Sequence, residues 1–90
     1  MLNFQTTALY RKDRKRAIKR GLPMNLLDEV LQTLVDEKPL DPKYRDHELK
    51  GIYAGLRECH IQPDWLLIYD IDGDNLILTA IRTGSHSDLF

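Results

Sequence analysis

Three histidines stand in the second half of the chain, His47, His60 and His86, and none in the first. An imidazole titrates near neutrality, so one ring can take a proton while another gives one. Asp64 lies between Pro63 and Trp65, a few residues after His60. Arg82 precedes His86, and Phe90 follows it. A guanidinium can clamp phosphate oxygens, and aromatic rings can stack on a splayed base. This mixture suits scission of RNA without a metal. The ribose 2′-hydroxyl must lose a proton to attack the adjacent phosphorus. The leaving 5′-oxygen must gain one, and charge on the phosphorane must be stabilised.

Blander readings stand beside this one. A lone His at a strand end is usually a polar surface residue, and a lone Trp is more often core than a stacking platform. Three imidazoles with a carboxylate could bind zinc, but no close-spaced ligand pair such as His-x-x-x-His is present. No metal or cofactor is therefore expected. Cys59, the one cysteine, reads as a small buried strand residue rather than a nucleophile. Arg57 and His60 are separated by an odd count, so on a regular strand they face opposite ways, and spacing does not say which faces a site.

These residues meet only if the elements that carry them share an edge. Leu2–Thr6 alternates as a short strand does, and Thr6 or Thr7 can cap the helix that follows. That helix is expected from Ala8 to Arg20, stopping at Gly21, with few apolar residues and a wide basic face that puts it on the outside. A second helix carries Leu27, Val30, Leu31, Leu34 and Val35 at amphipathic spacing, with Asn25 as its expected N-cap and Lys38-Pro39 as its stop. After a loop to Asp46, strands are expected over Tyr53–Ile61 with Gly55 inside, Leu66–Ile71, and Leu76–Ile81 broken at Thr83-Gly84-Ser85. Asp72–Asn75 is the turn between the last two. Leu66–Ile71 is almost wholly apolar, as a central strand covered on both faces is. The order is α+β: an N-terminal strand, a two-helix hairpin, then a curved, mainly antiparallel sheet of three further strands, with the helices on one face. In such a sheet the ends that carry His47, His60 and His86 come within reach, so one rim could gather them with Asp64, Arg82, Trp65 and Phe90.

Ninety residues make one domain, expected over 1–90. A hydrophobic share of 42% with 30% charged residues is globular rather than disordered. No apolar run approaches the roughly 20 residues that span a bilayer. With a single cysteine and no export signal, a reducing cytoplasm is the expected home. The net charge of -1 hides an asymmetry: residues 1–20 hold seven Lys and Arg against one acid, Asp13. Charge alone fits a phosphate-facing helix and a solvated one equally.

Tyr44–Gly51, Gly55–Tyr69 and Arg82–Phe90 together resemble YafQ-type toxins of the RelE/ParE superfamily. The joint pattern is His-x-Leu-x-Gly, His-x-x-Pro-Asp-Trp and Arg-Thr-Gly-x-His with a final Phe. The resemblance implies the RelE-like fold and the toxin half of a type II toxin–antitoxin pair. It implies a ribosome-dependent endoribonuclease that cuts mRNA and so inhibits translation. It assigns catalysis to His47, His60, Asp64 and His86, with His86 as general acid, and substrate contact to Trp65, Arg82 and Phe90. The implied partners are a cognate antitoxin of ribbon-helix-helix type, the ribosome with its mRNA, and operator DNA only through the antitoxin complex; no membrane is implied. Two alternatives remain open: a toxin of the same fold that blocks gyrase without cutting RNA, and a non-catalytic binding module.

Overall fold

The computed structural model describes Met1–Phe90. Strand β1 (Asn3–Thr6) leads into helix α1 (Ala8–Lys19), capped by the Thr7 hydroxyl, which accepts from the Tyr10 N–H at 3.0 Å. Helix α2 (Met24–Val35) begins one residue before the expected cap, with Pro23 in the cap position and no side-chain bond there. It ends before Lys38-Pro39, because Glu37 takes a left-handed backbone with φ 58. Three short features follow: a 3-10 turn at Pro42–Tyr44, the two-residue strand β2 (His47–Glu48), and a 3-10 turn at Gly51–Tyr53. Strands β3 (Arg57–Gln62), β4 (Trp65–Asp72) and β5 (Ile77–Gly84) complete the sheet, and a four-residue helix α3 (His86–Leu89) ends the chain's regular structure.

Two strand expectations need correction. The third strand does not begin at Tyr53 with Gly55 inside, since Gly55 sits at φ +88, outside any strand geometry. It begins at Arg57. The last strand does not break at Thr83; it runs to Gly84, because Leu66 and Leu67 still pair with Gly84 and Thr83.

The sheet order is β1-β5-β4-β3-β2, with β1 parallel to β5 and every other pair antiparallel. Strand β4 is central, and its alternate side chains sort into two layers. Trp65, Leu67 and Tyr69, with Cys59, Ile61, Leu78 and Ala80 of the flanking strands, meet Leu27, Val30, Leu31 and Leu34 of α2. Tyr10 and Ala17 of α1 join this cluster. Leu66 and Ile68 face the other way and pack with Leu89, Leu49, Tyr53, Leu56 and Ile81. The helices thus cover one face, and the second carries only a small apolar patch. Its remaining positions are free for polar chemistry.

Candidate active site

Glu58 and His60 lie two apart on β3, so both point to the face opposite the helices. His47 on β2 pairs directly with Glu58. A register shift between His60 and Gln62 tightens the turn into β4, where Asp64 stands exposed. Across the sheet, β5 delivers Ser85, which caps α3: the Ser85 hydroxyl accepts from the Asp88 N–H at 3.2 Å, and Asp88 accepts from the Ser85 N–H at 2.9 Å. Four residues cannot hold a helix alone. Arg20, the C-cap of α1, therefore matters, donating to both Asp88 oxygens at 2.6 and 3.2 Å, as does Tyr53, whose hydroxyl donates to the Leu89 carbonyl at 3.0 Å. Arg20 and the Ser85 N–H hold the Asp88 carboxyl well below the usual carboxylate range.

The result is a row of rings on one rim. His47 and His60 have centroids 6.2 Å apart, His60 and His86 5.8 Å, and His86 and Phe90 6.2 Å. The rim holds two carboxylates. Asp64 Oδ1 accepts from the His86 N–H at 3.0 Å and lies 2.9 Å from His86 Nδ1. These bonds, the backbone one first, lower the Asp64 pKa. Glu58 Oε1 lies 3.3 Å from His60 Nε2 and 3.7 Å from His47 Nε2, and its side chain is only 4% exposed. His47 Nδ1 is 2.7 Å from the Arg45 carbonyl, which fixes the ring, while Nε2 stays beyond hydrogen-bond distance of Glu58. Beneath it, Asp46 accepts from the Tyr69 hydroxyl and from Arg57 Nε and Nη2 at 3.2 and 2.8 Å, which ties the strand of His47 to the core. Arg57 therefore faces away from the site, and His60 faces it.

The structure gathers His47, His60, Asp64, His86 and Phe90. Trp65 and Arg82 each take a partner within the fold. Trp65 is 2% exposed, and its Nε1–H donates to Thr83 Oγ1 at 2.9 Å, so its ring is core and cannot stack on a base. Arg82 spends its fork on Asp13 of α1, with Nε and Nη2 both at 2.9 Å. Strand β1 ends at Thr6, leaving the far half of the β5 edge uncovered, and Asp13 also takes the Thr83 N–H there at 3.2 Å. Cys59 is fully buried, and burial pushes its thiol up to about 12, so it is no nucleophile at neutral pH.

Sequence reasoning missed Glu58. The signal was present: a carboxylate two residues before a histidine on a strand shares its face. It also missed α3, whose Ser85-x-x-Asp88 spacing is a capping-box signature. Glu58, His60 and His86 place one ligand atom each within 4.8 Å of one another, a donor set compatible with zinc or copper. Linear spacing could not show this, because the donors come from β3 and α3.

Comparison with known proteins places the chain. Residues 2–90 match the family model described as "Bacterial toxin of type II toxin-antitoxin system, YafQ". The chain is 42% identical over 82 residues to the mRNA interferase toxin YafQ of Escherichia coli K12, covering 90% of this chain and 87% of that protein. Its fold superimposes on a metal-bound toxin from Helicobacter pylori with a TM-score of 0.94 and 46% identity, each chain covered in full. The E. coli DinJ-YafQ complex gives 0.91 and 35% identity over 100% of this chain and 99% of that one. With the family match spanning nearly every residue and the histidine rim in place, this chain belongs to the YafQ family of bacterial toxins of type II toxin–antitoxin systems.

Proposed function

We propose that this toxin is an mRNA interferase, a one-domain endoribonuclease that works by proton transfer between two histidine–carboxylate pairs. One observation carries the reading: His60 beside Glu58 and His86 beside Asp64 face each other with ring centroids 5.8 Å apart, across a rim open to solvent. Asp64 engages His86 through Nδ1, which turns Nε2 outward to the rim. His86 is then the general acid that gives the leaving 5′-oxygen its proton. Glu58 engages His60 through Nε2, which leaves Nδ1 to accept the proton of the 2′-hydroxyl as that oxygen attacks phosphorus. His47, fixed through Nδ1 at the Arg45 carbonyl, orients the phosphate through its other nitrogen. Phe90 is 59% exposed and packs edge-on against Tyr53 at 5.4 Å, a fixed ring on which a base can stack. Trp65 and Arg82 support this rim from beneath.

The proposed setting is the cytoplasm; no helix is long and apolar enough to cross a membrane. The substrate is mRNA on the ribosome, where Lys12, Lys15 and Lys19, on the exposed side of α1, meet ribosomal RNA phosphates. A cognate antitoxin, of ribbon-helix-helix class, restrains the toxin and carries it to operator DNA. The DinJ complex of the E. coli relative supports the antitoxin. The test is induced expression of wild type, His86→Gln and Glu58→Gln chains. The wild type should halt translation and leave truncated mRNA, and each folded variant should lose that cleavage at least about a hundredfold, the lower end of general acid–base effects. Undiminished cleavage by His86→Gln overturns the assignment, and intact mRNA with broken DNA favours the gyrase-directed alternative.

A second reading rests on the same donors. A metal ion held by Glu58, His60 and His86 would occupy both proton-transfer rings and so switch the site off rather than drive it. The metal-bound H. pylori relative supports metal binding, and the inhibitory effect follows from the donors used. Added zinc should inhibit cleavage stoichiometrically, with recovery on chelation; activation by zinc would refute it.

A further inference from the structure

A cleft of about 400 Å³ opens beside the histidine rim, lined by Leu26, Lys43, Tyr44, Arg45, His60, Ile61, Gln62 and Pro63. Its volume is within the roughly 300–1,000 Å³ of small-molecule sites, enough for one nucleotide. His60 is among its lining residues, so the cleft adjoins the reacting centre. The chain carries more acids than bases, yet no Asp or Glu lines this space. Two cations do, and neither Lys43 nor Arg45 has a carboxylate partner, unlike Arg14, Arg16, Arg20, Arg57 and Arg82. The Lys43 ammonium lies 5.1 Å from the centroid of the Tyr44 ring, which is half-buried against the core. Arg45 is held in a left-handed backbone with φ 51, its N–H donating to the Pro42 carbonyl at 3.1 Å, while its own carbonyl meets His47 Nδ1. A non-glycine residue adopts that conformation only where its surroundings impose it. Here it aims an unpaired guanidinium beside the rim. Gln62, on the opposite lip, forms no side-chain hydrogen bond within the chain and offers both a donor and an acceptor to a base edge.

We propose, resting on the RNA-cleaving reading above, that this cleft seats the nucleotide next to the scissile phosphate. Lys43 and Arg45 bind its backbone phosphates, the Tyr44 face and Pro63 bracket its base, and Gln62 reads the base edge. Arg45 thereby supplies a phosphate contact beside the rim.

The test uses the intact toxin and an uncleavable 2′-O-methyl RNA hexanucleotide, followed by amide NMR shifts and by affinity at about 50 and 200 mM KCl. Binding should shift the amides of Lys43–Arg45 and Gln62. Lys43→Gln/Arg45→Gln should lower the salt slope by about 1.4, two phosphates at about 0.7 each for a single strand. The wild type then loses about sevenfold more affinity across that salt range than the variant does. Arg11→Gln/Lys38→Gln removes the same charge outside the cleft and should keep the wild-type slope. An unchanged slope in the cleft variant, an equal loss in the control, or no wild-type binding overturns the proposal. Cleavage is scored separately. A chain that cuts mRNA while its cleft variant binds like wild type refutes the cleft alone. A chain that binds as described but cuts nothing refutes the nuclease reading and leaves the cleft standing.

Discussion

Asp13 is the lone acid among the first twenty residues, and it is 3% exposed. Its Oδ1 accepts from Arg82 Nη2 at 2.9 Å and Arg16 Nη2 at 3.0 Å; its Oδ2 accepts from Arg82 Nε at 2.9 Å and the Thr83 N–H at 3.2 Å. Asparagine keeps the shape but turns one head atom into a donor. Whichever way the amide lies, two of the four bonds are lost and an NH2 faces N–H groups. A hydrogen bond to a charged group contributes about 1.5–3 kcal/mol. The side chains of Arg82 and Arg16 remain 20% and 40% exposed, so water recovers part of the loss. Asp13→Asn should therefore cost about 2–3 kcal/mol, a large share of the roughly 5–15 kcal/mol that holds a domain together. At about 4–8 °C per kcal/mol for a chain of this size, Tm should fall by about 10–20 °C. Circular dichroism melts at pH 7 measure it. A double-mutant cycle with Arg82→Gln should show coupling of at least about 1 kcal/mol, because the partners share one network. Melting within about 2 °C of wild type, or strictly additive losses, would refute the structural role of this pair. So would an Arg82→Gln chain that melts like wild type yet no longer cuts RNA, since that is how a substrate contact behaves.

Thr83→Val removes the hydroxyl that accepts from Trp65 Nε1 and donates to the Leu66 carbonyl at 2.7 Å, leaving a buried indole N–H unpaired. About 1–3 kcal/mol should be lost in urea unfolding, with cleavage reduced only in proportion to the folded fraction. Gly84→Ala places a methyl 2.9 Å from Asp88 Oδ2 and 3.0 Å from Asp88 Cβ. The backbone of α3 must move to admit it, at about 1–3 kcal/mol, and NMR should show the His86–Asp64 contact opened; an unchanged spectrum would contradict this packing. Asp88 and Asp64 both have folded pKa values below the unfolded carboxylate range of about 3.9. Their stabilisation is present above about pH 4 and is lost as pH falls through the folded values. Tm should be level from about pH 5 upward on their account and should drop below about pH 4, more steeply in wild type than in Asp88→Asn; parallel acid limbs would count against it.

What the chain determined by itself was local and periodic. The i, i+3, i+4 spacing of Leu27, Val30, Leu31 and Leu34 made α2 amphipathic, and those residues are buried against the sheet. The apolar run of β4 required cover on both faces, and it has it. Three histidines at segment ends, in an antiparallel frame, already implied one rim. Boundaries were less legible where a left-handed residue intervened, as at Glu37 and Gly55, because backbone sign leaves little mark in hydropathy. Partner choice was decided only in three dimensions. Trp65 and Arg82 have types that suit a nucleotide, yet Thr83 and Asp13 claimed them, from 18 and 69 residues away. Glu58 looked like one more surface charge until strand pairing set it under two imidazoles. A residue's chemistry is written in its side chain, but whether that chemistry is spent on the fold or left facing solvent depends on which distant group reaches it first.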